Sequence, residues 1–201
     1  MHVEFLLEEP SAEAFLEGFL PRLLPADTTA NLIAFQGKTD LLDKLEARLR
    51  GYRPWIPADW RIVVLLDEDR EDGRILKARM EAAARAAGFA TKTTPGAGGV
   101  FSVLNRISVE ELEAWFFGDV AALVAAYPGV SPHLGSRAAY RAPDAIAGGT
   151  WEALERELQR AGYYGGGLPK IEVARNMAAH MQPARNTSPS FQCFCTGLAA
   201  L

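Results

Sequence analysis

The chain is poor in the residues that build soft-metal sites and disulfide frameworks. It has only two cysteines, Cys193 and Cys195, and three histidines among 201 residues. Two thiols cannot complete a four-ligand zinc site, and no histidine stands beside them. They are expected to be reduced and mostly buried, sharing one face of a strand or diverging on a helix. His133 and His180 lie far apart without ligand-like spacing and carry no role. A Gly-x-Ser-x-Gly elbow and a cysteine–histidine pair are both missing, which argues against the common nucleophilic hydrolases. Neither internal repeats nor low-complexity tracts occur. No apolar run is long enough to span a bilayer, and no basic segment followed by an apolar stretch opens the chain. No membrane association is therefore expected, and the cytoplasm is the expected location.

Positive charge in excess is also lacking. Lys and Arg number 21 against 25 Asp and Glu, a formal net charge of -4. Tight nonspecific nucleic-acid binding draws on cations facing phosphates, so it would need bound metal or a partner's basic surface here. What is present is an ordinary globular composition, 49% hydrophobic and 23% charged.

Strand and helix patterns alternate. Residues 2–7, 31–35, 61–66 and 100–107 read as strands. The unbroken apolar run 61–66 suggests a central strand covered on both faces. Helices are expected over 12–24, with Ser11 as cap and Pro21 as a kink or stop, and from Thr39 or Asp40 through Leu41, Leu42, Leu45 and Leu49. Others follow over 72–87 and 109–127. Further helices follow over 151–161, capped by Thr150, over 170–180, and over 191–201, capped by Ser188 or Ser190. The rhythm predicts an α/β fold, a parallel sheet flanked by helices. Residues 1–127 form its core, and 128–201 form a helical C-terminal extension packed on it.

Ligands of such sheets sit where the strands end. Glu8 and Glu9 follow the first strand, and Asp67, Glu68 and Asp69 follow the third. If that strand stays extended, Asp67 and Asp69 share a face, where like charges repel. Either a hard cation such as Mg²⁺ or Mn²⁺ stabilises them, or the acids cap the next helix and face solvent. Glu110, Glu111 and Glu113 open the helix after the fourth strand, with Glu110 and Glu113 on one face. Glu113, beside Trp115-Phe116-Phe117, is expected half-buried and in need of a cationic partner. Gln36-Gly37-Lys38 is either an anion-binding turn supported by Lys38 or a plain tight turn. Lys170, Arg175 and Arg185 form either a basic patch or solvated helix charges. Trp115 and Trp151 are core candidates, while Trp55 and Trp60 lie in a Pro-flanked loop.

A glutamate after the first strand and Asp67-Glu68-Asp69 after the third resemble the Toprim domain of primases, topoisomerases and overcoming-lysogenization-defect nucleases. The chain departs from that pattern at Glu9, where Toprim domains usually have glycine. Over nearly its whole length it is similar to a Toprim-like family known as domain of unknown function 4276. The carriers are Phe35-Gln36-Gly37-Lys38, Val63-Val64-Leu65-Leu66-Asp67-Glu68-Asp69, Glu110-Glu111-Leu112-Glu113-Ala114-Trp115 and Asn186-Thr187-Ser188-Pro189-Ser190-Phe191. The resemblance implies Glu8 as general acid/base or metal ligand, and Asp67 and Asp69 as Mg²⁺ ligands. Glu113 is a further metal-ligand candidate, and Lys38 and Lys170 are substrate-contact candidates. It implies a metal-dependent nuclease or phosphotransfer enzyme acting on nucleic acid, in a bacterial defence-like setting beside an ATPase. The alternative is a non-catalytic Toprim-fold partner or sensor subunit of that ATPase.

Overall fold

Four short apolar segments solve the same problem, hiding two hydrophobic faces, by pairing into one sheet. In the computed structural model, which describes all residues 1–201, the strands are β1 (His2–Leu7), β2 (Thr29–Ala34), β3 (Trp60–Asp67) and β4 (Val103–Ser108). All pair in parallel, in the order β2-β1-β3-β4. Parallel neighbours need crossovers. Three helices supply them: α1 (Pro10–Phe19), α2 (Lys38–Tyr52) and α3 (Gly73–Ala86).

The alternation of β3 sorts the core. Val63 and Leu65 enter one cluster of 35 buried residues, and Ile62, Val64 and Leu66 enter a second cluster of 14. Helix α1 belongs to the first face, whereas α2 and α3 cover the second. The strand order explains this division. The chain moves outward from β1 to β2, then returns past β1 to β3 and continues to β4. With crossovers of one hand, reversing the direction of travel moves the helix to the opposite face. The reversal falls between β1 and β3, so a crevice opens at their carboxyl ends.

Helices α4 (Leu112–Phe117), α5 (Val120–Ala126), α6 (Thr150–Arg160), α7 (Lys170–His180) and α8 (Pro189–Leu198) follow β4. All five contribute to the larger cluster, which therefore runs from the sheet into residues beyond 128 without a break. Helix α7 lies tight on α1, where a Cβ added at Gly18 would stand 2.9 Å from the Cβ of Ala178. Trp115 is fully buried, and its indole N–H donates to Ser190 Oγ at 2.9 Å. None of the helices is long and apolar enough to cross a membrane.

Several expected boundaries move, each for a local reason. The expected helix 12–24 closes at Phe19 and passes into a 3₁₀ turn, Leu20–Arg22, that accommodates Pro21. Its N-cap is Glu9, and Ser11 donates back to the Glu9 carboxylate. Gly37 caps α2 with φ 94°, a left-handed conformation that favours glycine. The expected helix 109–127 breaks into α4 and α5 at Gly118-Asp119. There Asp119 caps α5, and Asn186 presses so closely on Gly118 that a Cβ would collide with it. Gly149 rather than Thr150 is the N-cap of α6, whereas Ser188 does cap α8 and accepts from the Phe191 N–H. The fourth strand starts at Val103, not residue 100. The cysteines diverge on α8: Cys195 is buried, but Cys193 is exposed.

Candidate functional site

Strand β3 delivers Asp67 as its last residue, buried and on the face shared with α1 and α4. One Asp67 oxygen accepts the main-chain N–H of Leu112, the first residue of α4, at 3.3 Å. Glu8, just beyond β1, reaches across the crevice and accepts the main-chain N–H of Asp67 at 2.9 Å. These two carboxylates meet although 59 residues separate them. Glu113, on the first turn of α4, is buried, and its Oε2 has no hydrogen-bond partner. Ser108 ends β4 opposite Asp67 in register, and its buried hydroxyl is likewise unpartnered.

The electrostatics follow from this burial. The Asp67 carboxyl is held protonated well above the usual carboxylate range, first by loss of water, then by the negative charges of Glu8, Glu113, Glu9 and Asp69. Burial likewise pushes Glu8 up to about 7. The Asp67 N–H and Lys38 work against that shift, while Asp69 and Glu9 add to it. Glu113 rises to about 7, again mainly through burial, with Lys170 opposing the shift and Glu111 and Glu9 adding to it. Three carboxyl groups at one crevice thus have raised pKa values, an arrangement often found at functional sites.

Two lysines flank them. Lys38, the first residue of α2, places its ammonium 2.7 Å from Asp69, 3.3 Å from Glu71 and 2.9 Å from the Glu68 carbonyl. Burial lowers its pKa, but Asp69, Glu8 and Glu71 outweigh this and raise it overall. Lys170 opens α7 and stands 4.0 Å from both Glu9 and Glu113, with its ammonium 5.7 Å from the centre of the Trp151 ring. Burial opposes its charge too, and Glu113, Glu9, Glu111 and Asp67 overcome that.

The chain belongs to the family described as Domain of unknown function (DUF4276), whose model matches residues 7–199. No curated protein and no solved structure matches it. The matched stretch of this DUF4276 chain contains every residue of the crevice.

Some sequence expectations need correction within that frame. Asp69 does not share the Asp67 face, because β3 ends at Asp67 and the chain turns through a left-handed Asp69, φ 52°. Its side chain goes to Lys38, not to Asp67. Glu110, at φ 61°, lies before α4 and so shares no helical face with Glu113. Glu111 turns its carboxylate to another helix. Its Oε2 accepts from Thr150 N, Thr150 Oγ1 and Trp151 N at 3.1, 2.7 and 2.9 Å, capping α6. The patch of Lys170, Arg175 and Arg185 does not assemble. Lys170 joins the carboxylates, and Arg185 forms two 3.1 Å bonds to buried Asp119. No group of three or more His, Cys, Asp or Glu side chains stands ready to hold a metal ion. Ser108 escaped the sequence reading, although it ends its strand as Asp67 does. The pairing of Lys170 with Glu113 and Glu9, both far earlier in the chain, left no local signal.

Proposed function

We propose that this DUF4276 chain is a divalent-metal-dependent enzyme of phosphodiester chemistry, of Toprim type, acting on nucleic acid. The observation that carries the reading is the approach of Glu8 and Glu113, from two sides, to the buried Asp67 at the reversal point of the sheet, with Lys38 and Lys170 nearby. The donors fit Mg²⁺ or Mn²⁺. They are hard oxygens, one of them an orphaned buried carboxylate oxygen, and Mg²⁺ is commonly held by one or two carboxylates with water completing its shell. Asp67 and Glu113 are the proposed ligands, and Asp69 can join them only by releasing Lys38. When bound, the metal would polarise a phosphate oxygen and offset the negative charge of the crevice.

The chain's own groups supply the rest. Glu8, poised near pH 7, is suited to move a proton, since efficient acid–base groups have pKa values close to the working pH. Lys38 and Lys170 present cations to a phosphate on two sides. Lys170 reaches the crevice through a loose 4.0 Å pairing, so it can turn to an anion at small cost. The non-catalytic reading, as partner or sensor of an ATPase, draws on Glu9, which stands where a Toprim domain has glycine, and on the pairing of Asp69 with Lys38.

Titrating Mg²⁺ and Mn²⁺ calorimetrically into the wild-type chain, Asp67→Ala and Glu113→Gln separates these readings. Cleavage of single- and double-stranded DNA and RNA is followed in parallel. Binding and cleavage lost together in the variants support the enzyme. Binding without cleavage of any substrate supports the sensor, and cleavage that survives Asp67→Ala removes this crevice as the active site.

A further inference from the structure

The two edges of the sheet are treated differently. The β4 edge is partly closed, because the Val103 N–H donates to the Ala90 carbonyl and the Lys92 N–H to the Val103 carbonyl. The β2 edge has no neighbour beyond β1. Thr29 and Phe35 donate inward, to the carbonyls of Met1 and Leu7. By the two-residue period of a strand, the main-chain groups of Ala30, Leu32 and Ala34 therefore point outward. Open edges are normally guarded by charge, proline or a bulge. The β2 sequence, Thr-Ala-Asn-Leu-Ile-Ala, contains no charge and no proline, and its first three residues are exposed.

A groove of about 720 Å³ runs beside this edge, between β2 and α1. Leu16, Leu20, Leu24 and Leu32 give it an apolar floor, Glu13 and Glu17 are its only charged residues, and both are acidic. The other face of the same edge differs. There Ile33, Phe35 and Ala47 lie beside Arg48 of α2 and an ion pair of Lys44 with Asp40.

We infer that β2 accepts an extended segment of a partner protein as a fifth strand, with lysine or arginine on the face turned to α1 and apolar side chains on the face turned to α2. Main-chain bonds to Ala30, Leu32 and Ala34 supply the pairing. The aliphatic stems of the basic residues lie along the leucine floor, and their charges reach Glu13 and Glu17. Arg48, the charge on the other face not paired with an acid, disfavours the flipped orientation. A second copy of this chain fits poorly. Edge-to-edge pairing about a twofold axis normal to the sheet keeps like faces together, setting the Glu13 and Glu17 of one copy toward those of the other.

The test uses the full chain and two labelled peptides, one alternating valine and lysine, the other valine and glutamate. Fluorescence anisotropy is expected to show binding of the lysine peptide, and at least ~10-fold weaker binding of the glutamate peptide. The charge-reversed variant Glu13→Lys/Glu17→Lys is expected to invert that preference. N-methylating alternate peptide amides removes binding, and hydrogen exchange slows at Ala30, Leu32 and Ala34 in the complex. No binding of the lysine peptide, equal binding of both peptides, or protection elsewhere on the chain overturns the inference. Concentration-dependent self-association abolished by Leu32→Lys would identify a second copy as the occupant and overturn it too. None of these readouts uses metal or cleavage, so the result is independent of the proposed chemistry.

Discussion

Replacing Glu113 by glutamine tests the electrostatics of the crevice at its most enclosed point. The Glu113 side chain is 1% exposed, and its pKa rises from 4.5 to about 7. In the unfolded chain the carboxyl loses its proton near its ordinary value, while the folded chain keeps it until about pH 7. Between those values the folded state binds more protons, so rising pH favours unfolding. The contribution is intact below the unfolded value, declines as pH climbs, and is fully lost above about pH 7. The whole displacement corresponds to about 3 kcal/mol, of which roughly 2 to 3 kcal/mol falls between about pH 5 and about pH 8. Glu113→Gln cannot ionise and escapes this loss. It also relieves Asp67, which the Glu113 charge pushes upward, and that reinforces the difference. Urea unfolding of both proteins at the two pH values measures it, with wild type expected to lose roughly 2 to 3 kcal/mol more than the variant. Parallel pH profiles would refute the reasoning, because they would mean that Glu113 reaches water or a partner cation more fully than its burial indicates. Repeating the alkaline measurement with Mg²⁺ adds an independent arm: metal bound through Glu113 stabilises wild type and has a smaller effect on the variant.

Lys170→Met removes the cation that holds the Glu113 pKa down, so the Glu113 titration midpoint, read from its side-chain carboxyl carbon by NMR, is expected to rise above its wild-type value. Gly18→Val forces side-chain atoms into a gap where even a Cβ lies 2.9 Å from Ala178, and a loss of ~1–3 kcal/mol in urea unfolding is expected. Asp119→Ala strips the α5 cap and strands Arg185 without the carboxylate it grips at 3.1 Å twice. Because Arg185 is 40% exposed, the loss is set mainly by the cap and by the main-chain donors left without the carboxylate, and a cost of ~1–3 kcal/mol in the same assay is expected, a loss under ~0.5 kcal/mol refuting it.

The sheet was legible because its signals are local and periodic. Residues 61–66 read as a strand covered on both faces, and the alternating strand and helix patterns pointed to parallel crossovers. The contact of Glu8 with Asp67 followed from the same logic, since both stand at the ends of strands that a parallel sheet brings side by side. Asp69 was misplaced because its partner decides its conformation. A left-handed turn directly after β3 is stabilised by Asp69 N–H donating to the Glu110 carbonyl and by Lys38, and neither contact has a signature within a few residues of Asp69. Glu111 shows the same limitation from the other direction. It looked like an acid placed at the start of the helix that follows it, yet the N-terminus of a helix nearly forty residues later claims it. Glu111 is held by a helix end and Asp69 by a lysine. The carboxylates of the crevice have fewer partners: Glu8 accepts one main-chain N–H, Asp67 accepts another, and Glu113 has Lys170 at 4.0 Å while its Oε2 has no hydrogen-bond partner. The proposed metal would favour their ionised forms, which is why metal binding, rather than cleavage, is the first property to measure.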